Sequence, residues 1–375
     1  MKVIIPILSV VEAGGVKVLF KIADLLQDNG YEVSIISFNN KKRQKINFNT
    51  KIHITYMEVN PILKIICKWI LGDFIKCWYI FKKMPICDIA IANYFLTAYP
   101  VWLSKRPKYK LYYCQAYEPE FFYDYGQKFK PICKYILIKI YKFLYRKLAE
   151  NSYKLGLAMF ANNEKIVSRI ENLTRKSNIN IPIVHSGIET KYFKPQWNEN
   201  NILNVGVIAT PNYWKGTKYF LEGVHMLKKR NINFKISCAF GPPPEGSPEV
   251  EAHWVNPRSQ EELAKFYASL DILVSPMLIT GEFALPPLEA MACGTAVIST
   301  KLLYAQHKQD YYEICPKNSV AIADAIEELI NNKELRIKIS KNGYELSRRF
   351  CWENIEKELL NFMANIPKEQ QRDFT

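Results

Sequence analysis

Strand-length apolar runs alternate with longer helical patterns from the first residues onward. Residues 3–8 are followed by a helical stretch at 16–29 and a second apolar run at 32–38, the order that builds βαβ units on a parallel sheet. Further strands are predicted at 52–57, 88–92, 109–114, 157–161 and 182–185, with helices around 61–82, 95–104, 131–152 and 163–172. The pattern lapses at 186–200, SGIETKYFKPQWNEN, which is polar and punctuated by Gly187 and Pro195. A second series then begins, with strands at 202–209, 234–239, 252–255, 272–275 and 296–299. Helices are predicted between and after them at 215–230, 259–269, 287–293, 319–331 and 334–349.

The predicted class is therefore α/β, with two doubly wound Rossmann-like domains in tandem. A chain of 375 residues exceeds what one hydrophobic core usually supports, which agrees with that division. Ligands of open parallel sheets sit at the carboxyl ends of the strands, so two such domains are expected to face a central cleft. The loops after strands are where chemistry is to be sought.

Composition removes several alternatives. Nine cysteines are scattered through apolar stretches without a CxxC pair, five histidines lie far apart, and no DxD carboxylate pair occurs. A protein-bound metal and a structural disulfide framework are not expected. Met1-Lys2 leads directly into an apolar strand with no small-residue cleavage site behind it, so the chain is expected to be cytoplasmic. There is no short-period repeat and no low-complexity tract.

Three segments stand where a ligand would be met. Gly14-Gly15 joins the first strand to the first helix, where glycine lets backbone amides approach an anion; a plain tight turn fits the dipeptide equally well. Trp214-Lys215-Gly216-Thr217 occupies the matching position in the second series. There a lysine adds a full charge to the field of a helix N-terminus, or is simply a solvated surface residue. The third segment is residues 281–298, GEFALPPLEAMACGTAVI, predicted to place Glu289 in the first turn of a short helix. A carboxylate there either satisfies the helix dipole or accepts two hydrogen bonds from a ribose diol.

PPLEAMACGTAVIST, the KG turn, the GG loop, the IVHSGIETKYFKP linker and the RRFCWENIEKELL tail together resemble the retaining GT-B glycosyltransferases of the large group 1 family. Through Tyr112-Tyr113-Cys114-Gln115-Ala116-Tyr117-Glu118-Pro119 the chain looks similar to bacterial enzymes that build surface polysaccharide, rhamnosyltransferase-like members included. The resemblance implies an acceptor-side domain over 1–190, a nucleotide-sugar-binding domain over 196–350, and a tail over 351–375 that packs back on the first domain. It implies Lys215 on the donor diphosphate, Glu289 on the ribose, and Gly281, Glu282 and the amides of Phe283, Ala284 and Leu285 around phosphate and sugar. Gly14 and Gly15 would close on the donor, and Gln115 or Glu118 would contact the transferred sugar or acceptor. Gly15, Glu118, Lys215 and Glu282 are the implied catalytic group. The nucleotide-sugar is a substrate, and neither a cofactor nor a metal is implied.

Three positions depart from the family pattern. Gly206-Val207 stands where an arginine usually follows the first strand of the second domain. Glu282 and Glu289 are seven positions apart where eight is usual, with Gly281 at the expected place, and Gln115 stands near a common histidine. These departures keep two other readings in play: a catalytically silent glycosyltransferase-like subunit, and a nucleotide-sugar epimerase on the same fold.

The formal charge of +15 points to an anionic partner. Residues 128–147 carry seven basic side chains and no acidic one. On a helix, Lys134, Lys139, Lys142 and Arg146 share a broad side opposite Ile136, Leu137, Ile140, Phe143 and Leu144. That pattern suits a peripheral helix on an anionic membrane surface, each lysine worth ~1 kcal/mol there; it equally suits a helix whose apolar face fills the first core. No stacking module or basic tail suggests nucleic acid.

Overall fold

The computed structural model describes residues 1–10, 14–38, 50–58, 72–123, 132–176, 179–197, 200–278, 283–307 and 309–369. Contacts divide the chain into a first unit of Met1–His185 with Glu356–Thr375, and a second unit of Ser186–Ile355.

The first unit is a sheet of six strands: β1 (Lys2–Pro6), β2 (Glu32–Phe38), β3 (His53–Met57), β4 (Cys87–Ala92), β5 (Pro107–Cys114) and β6 (Ala158–Ala161). Their order is β3-β2-β1-β4-β5-β6 and every pair is parallel. Strands flanked by neighbours and covered by helices must be apolar on both faces, which is why β1 and β4 read as continuous Ile, Val and Ala runs. Helices α1 (Gly14–Asp28), α2 (Gly72–Lys83), α3 (Phe95–Leu103), α4 (Ile132–Ser152) and α5 (Glu164–Thr174) lie between them in sequence. Helix α1 ends on Gly30 at φ +84°, with the Tyr31 amide donating to the Leu26 carbonyl and the Gly30 amide to that of Gln27. This left-handed cap satisfies carbonyls that the helix end would otherwise orphan.

The second unit repeats the plan with β7 (Asn204–Ala209), β8 (Lys235–Phe240), β9 (His253–Val255), β10 (Ile272–Ser275), β11 (Ala296–Ser299) and β12 (Tyr312–Glu313), in the order β12-β11-β10-β7-β8-β9. Its helices are α6 (Thr217–Lys229), α7 (Gln260–Ala268), α8 (Leu285–Ala292), α9 (Ser319–Asn331) and α10 (Lys333–Ser347). Side-chain oxygens of Ser259, Asn318 and Asn332 cap α7, α9 and α10. The last helix, α11 (Trp352–Glu369), turns Leu359, Phe362, Met363 and Ile366 inward. Phe362 lies 4.6 Å from the ring of Phe160, which stacks on Tyr113 at 4.5 Å.

Several expectations are corrected. The predicted strand at 182–185 makes only a single parallel bridge, Ala161 to Ile183, because Pro182 has no amide to donate to a ladder. The helix predicted at 215–230 starts at Thr217, after a 3-10 turn over Tyr213–Lys215. The helix predicted from 287 starts at Leu285, since prolines are tolerated in a first turn. Strand β12 went unpredicted; two residues carry no periodicity. Residues 61–71 of the predicted helix 61–82 lie outside the described residues.

On α4, of the two readings given for its apolar face, filling the core is not met over residues 136–144: Ile136, Leu137, Ile140, Phe143 and Leu144 are 51–65% exposed, and the buried residues are Tyr145 and Ala149 on another side.

The Phe160 ring joins the first sheet to the last helix. Phe160→Ala is expected to lower stability by about 3–5 kcal/mol in urea titration, with tryptophan emission as the probe. A loss below about 1 kcal/mol would show that α11 does not depend on this contact.

Candidate functional site

In each unit the strands' carboxyl ends bring together residues that are distant in sequence. In the second unit, Gly216 at φ +74° is the pivot between the 3-10 turn of Tyr213–Lys215 and the start of α6. A Cβ there would sit 1.9 Å from the Pro276 carbonyl oxygen, so only glycine permits the close approach to the loop after β10. The Leu278 amide donates to the Trp214 carbonyl at 2.8 Å, and the Thr210 amide to the buried hydroxyl of Thr217 at 3.2 Å. Lys215 is thus the last residue of a turn anchored on both sides rather than a first-turn helix residue.

Phe283 and Ala284 enter α8 through an aromatic clamp. The Phe283 ring lies 5.1 Å from Tyr304 and 5.4 Å from Phe350, and the buried Tyr304 hydroxyl donates to the Ala284 carbonyl at 3.0 Å. Pro286 and Pro287 have no N–H, so the donors that a helix N-terminus offers reduce here to those of Ala284 and Leu285. Glu289 lies in the second turn of α8 and not the first, one turn below Leu285 on the same face. Helical side chains lean toward the N-terminus, which aims its carboxylate back along that face. Glu289 is 9% exposed and accepts a hydrogen bond from Tyr267 at 3.0 Å. Burial, reinforced by Glu289, pushes the Tyr267 hydroxyl well above its ordinary range and the Cys293 thiol up to about 12. Gly281 and Glu282 lie outside the described residues.

In the first unit, Gly14 and Gly15 are the exposed first residues of α1. A Cβ on Gly15 would lie 3.0 Å from the side-chain oxygen of Gln115, so the ends of β1 and β5 meet at this pair. Gln115 is held through its carbonyl by Asn162 Nδ2 at 2.8 Å, and Asn163 donates to the Asn162 side chain at 2.8 Å while capping α5. Asn93, at the end of β4, donates to the Pro6 carbonyl at 2.6 Å. This amide cluster was missed; single asparagines after strands give no sequence signal until the sheet order is known.

Glu118 takes a different position. It is 6% exposed, accepts from the Tyr112 hydroxyl, and its amide donates to the Tyr153 hydroxyl at 3.2 Å. Tyr112, Tyr153 and Tyr117 form a parallel stack with ring separations of 5.6 and 5.8 Å. The two candidates from this segment therefore separate, Gln115 facing Gly15 and Glu118 lying among tyrosines. On α4, Arg146 pairs with Glu150 at 3.6 Å and lies over Tyr123, Lys142 donates to the Tyr123 carbonyl at 3.4 Å, and Lys139 is exposed. The Lys134 side chain lies outside those described. Among the described residues no cluster of three or more metal-ligating side chains occurs.

Residues 199–332 match the family model described as Glycosyl transferases group 1, and the second unit carries that family's sequence pattern. A D-inositol 3-phosphate glycosyltransferase of Corynebacterium urealyticum is 29% identical over 119 residues, 30% of this chain and 28% of that protein. An uncharacterized glycosyltransferase of Methanocaldococcus jannaschii is 36% identical over 100 residues, 26% of this chain and 28% of its own. These alignments thus span under a third of either relative. Solved structures align far more widely. Anabaena HepE, crystallised with UDP and glucose, superposes with a TM-score of 0.75 at 15% identity, over 97% of this chain and all of its own. Sucrose-phosphate synthase of Thermosynechococcus elongatus gives 0.76 at 13% identity, over 98% and 99%. At such identities the likeness establishes the fold: the chain has the GT-B architecture of two Rossmann-like domains.

The buried tyrosines set an alkaline limit. Burial holds Tyr112, Tyr153, Tyr267 and Tyr304 neutral well above their ordinary 10.0. The unfolded chain ionises them near that value, so the folded state binds more protons above pH 10 and stability falls as pH rises. The urea midpoint is expected to hold up to about pH 9, where buried thiols begin the decline. Above pH 10 the loss should approach ~1.4 kcal/mol per pH unit for each buried tyrosine. A midpoint unchanged between pH 9 and 11 would contradict the burial.

Proposed function

We propose that this protein transfers a glycosyl group, with retention, from a nucleotide-sugar donor to a lipid-linked or growing cell-surface polysaccharide acceptor. The observation that carries the reading is the loop set of the second unit, inside the segment that matches the group 1 family. It comprises an anchored Lys215 turn, the clamped amides of Phe283–Leu285, and a carboxylate at Glu289 already hydrogen-bonded by Tyr267.

In this reading Glu289 accepts the ribose hydroxyls, while Ala284 and Leu285 offer amides to phosphate and sugar. As the glycosidic bond to the diphosphate breaks, negative charge grows on the leaving oxygens. Lys215 and the N-terminal ends of α6 and α8 stabilise it, the sugar meanwhile acquiring oxocarbenium character. Positioning and electrostatics then carry most of the acceleration. Gly14, Gly15 and Gln115 are assigned to donor, sugar or acceptor contacts; Glu118 holds the strand end beneath them. Gly281 and Glu282 keep the roles that the family resemblance implies. No DxD pair exists to hold a metal, so Lys215 is proposed to provide the cationic charge, and transfer is expected to persist in EDTA.

Thermal shifts against UDP, GDP, dTDP and ADP, each alone and as sugar conjugates, test the site. UDP comes first, because HepE was crystallised with it. One nucleotide at a hundredfold excess over its Kd is expected to add about 2.7 kcal/mol of stability, and Glu289→Ala and Lys215→Ala are each expected to weaken binding at least about tenfold. No response to any nucleotide would favour the silent subunit. An epimerised sugar formed without acceptor would replace transfer by epimerisation.

A further inference from the structure

The exposed side of α4 has no role in the transfer reading. At 3.6 residues per turn, Ile136, Leu137, Ile140, Phe143 and Leu144 fill an arc of roughly 120°, all more than half exposed. Tyr145 and Ala149 form the buried stripe, and Lys139, Lys142 and Arg146 occupy the sector between that stripe and the apolar arc. The helix therefore has three faces: one packed, one cationic and one apolar and open. Helix α2 packs on the buried stripe, its Phe74 ring meeting Tyr145 at 6.1 Å. Trp78, one turn further along the same side of α2, is 52% exposed beneath the ammonium of Lys82.

We infer that this face docks the first unit on an anionic lipid bilayer, with the apolar arc of α4 sunk among acyl chains and its lysines against headgroup phosphates. Charge selects the occupant. Residues 1–185 hold 29 of the chain's 51 Lys and Arg but only 13 of its 36 Asp and Glu, so the whole positive excess lies there. A second copy meeting this face would set its own cationic flank against the first, whereas a bilayer of anionic lipid gains from both the apolar arc and the charge. No described helix is long and apolar enough to cross a membrane, so attachment is to the surface. The inference does not rest on glycosyl transfer, and its test requires no turnover.

Sedimentation of the full chain with phosphatidylcholine vesicles, with and without 30% phosphatidylglycerol, measures the docking. Binding to the anionic vesicles is expected to exceed binding to the neutral ones at least tenfold, with a blue shift of tryptophan emission. Ile140→Glu/Leu144→Glu is expected to reduce binding at least tenfold while its melting temperature stays within a few degrees of the wild type. Lys139→Glu/Lys142→Glu is expected to remove the preference for anionic lipid. Equal binding by the apolar double variant would overturn the inference. So would vesicle-independent dimerisation of the wild type that Ile140→Glu/Leu144→Glu abolishes, which would make the face a contact between copies.

Discussion

Each hydrogen-bonded strand pair in the two described sheets is parallel, and much of the molecule follows from that constraint. Parallel neighbours cannot be joined by a hairpin, so the chain must cross back over a face and the strands become buried on both sides. All strands of a sheet then end at the same edge. Pro6, Ala92, Cys114 and Ala161 finish side by side although 155 positions separate the first from the last. Gln115 reaches Gly15, Asn93 reaches Pro6, and Asn162 reaches Gln115 for that reason. The second sheet does the same for the Lys215 turn and the loop after β10.

Both units also place a carboxylate below this edge and hold it with tyrosine. Tyr267 donates to Glu289 and Tyr112 to Glu118. A buried carboxylate without donors would be costly, and a tyrosine hydroxyl offers one without bringing in a compensating charge. The two arrangements differ in what they leave available. Glu289 lies on the helix face that continues upward to Leu285 and the clamped loop. Glu118 is enclosed by the stack of Tyr112, Tyr153 and Tyr117, which makes it a support for the end of β5.

The strands were the most legible part of the sequence, because a strand buried on both faces reads as a short, mostly apolar run: β2, β10 and β11 coincide with their predicted limits. Where proline entered, legibility failed in opposite directions. Pro182 broke a strand that its apolar neighbours suggested, while Pro286, read as preceding a helix that begins at Pro287, lies with Pro287 inside its first turn. That shift moved Glu289 from first turn to second. The glutamate itself was visible from the motif around it, but its partner Tyr267 was not, since 22 positions and an intervening strand separate them. Gln115 was singled out by position alone, and the meeting with Gly15 depends on the strand order, which no local pattern contains.

Helix α4 shows a different limit of pattern reading. Amphipathic spacing reports that a helix has two chemistries and says nothing about which of them the protein covers. Here the side chains that would conventionally pack inward are the exposed ones, and packing is carried by Tyr145 and Ala149 on another side of the helix. The basic residues fill the sector between the packed stripe and the arc, where Lys142 and Arg146 contact Tyr123 and Glu150. A cation held at the border of an exposed apolar surface cannot shield it from water. It can orient that surface toward a negatively charged plane, because field and apolar area then act along the same direction. The arrangement is unfavourable in water and becomes favourable only against a phase that accepts both.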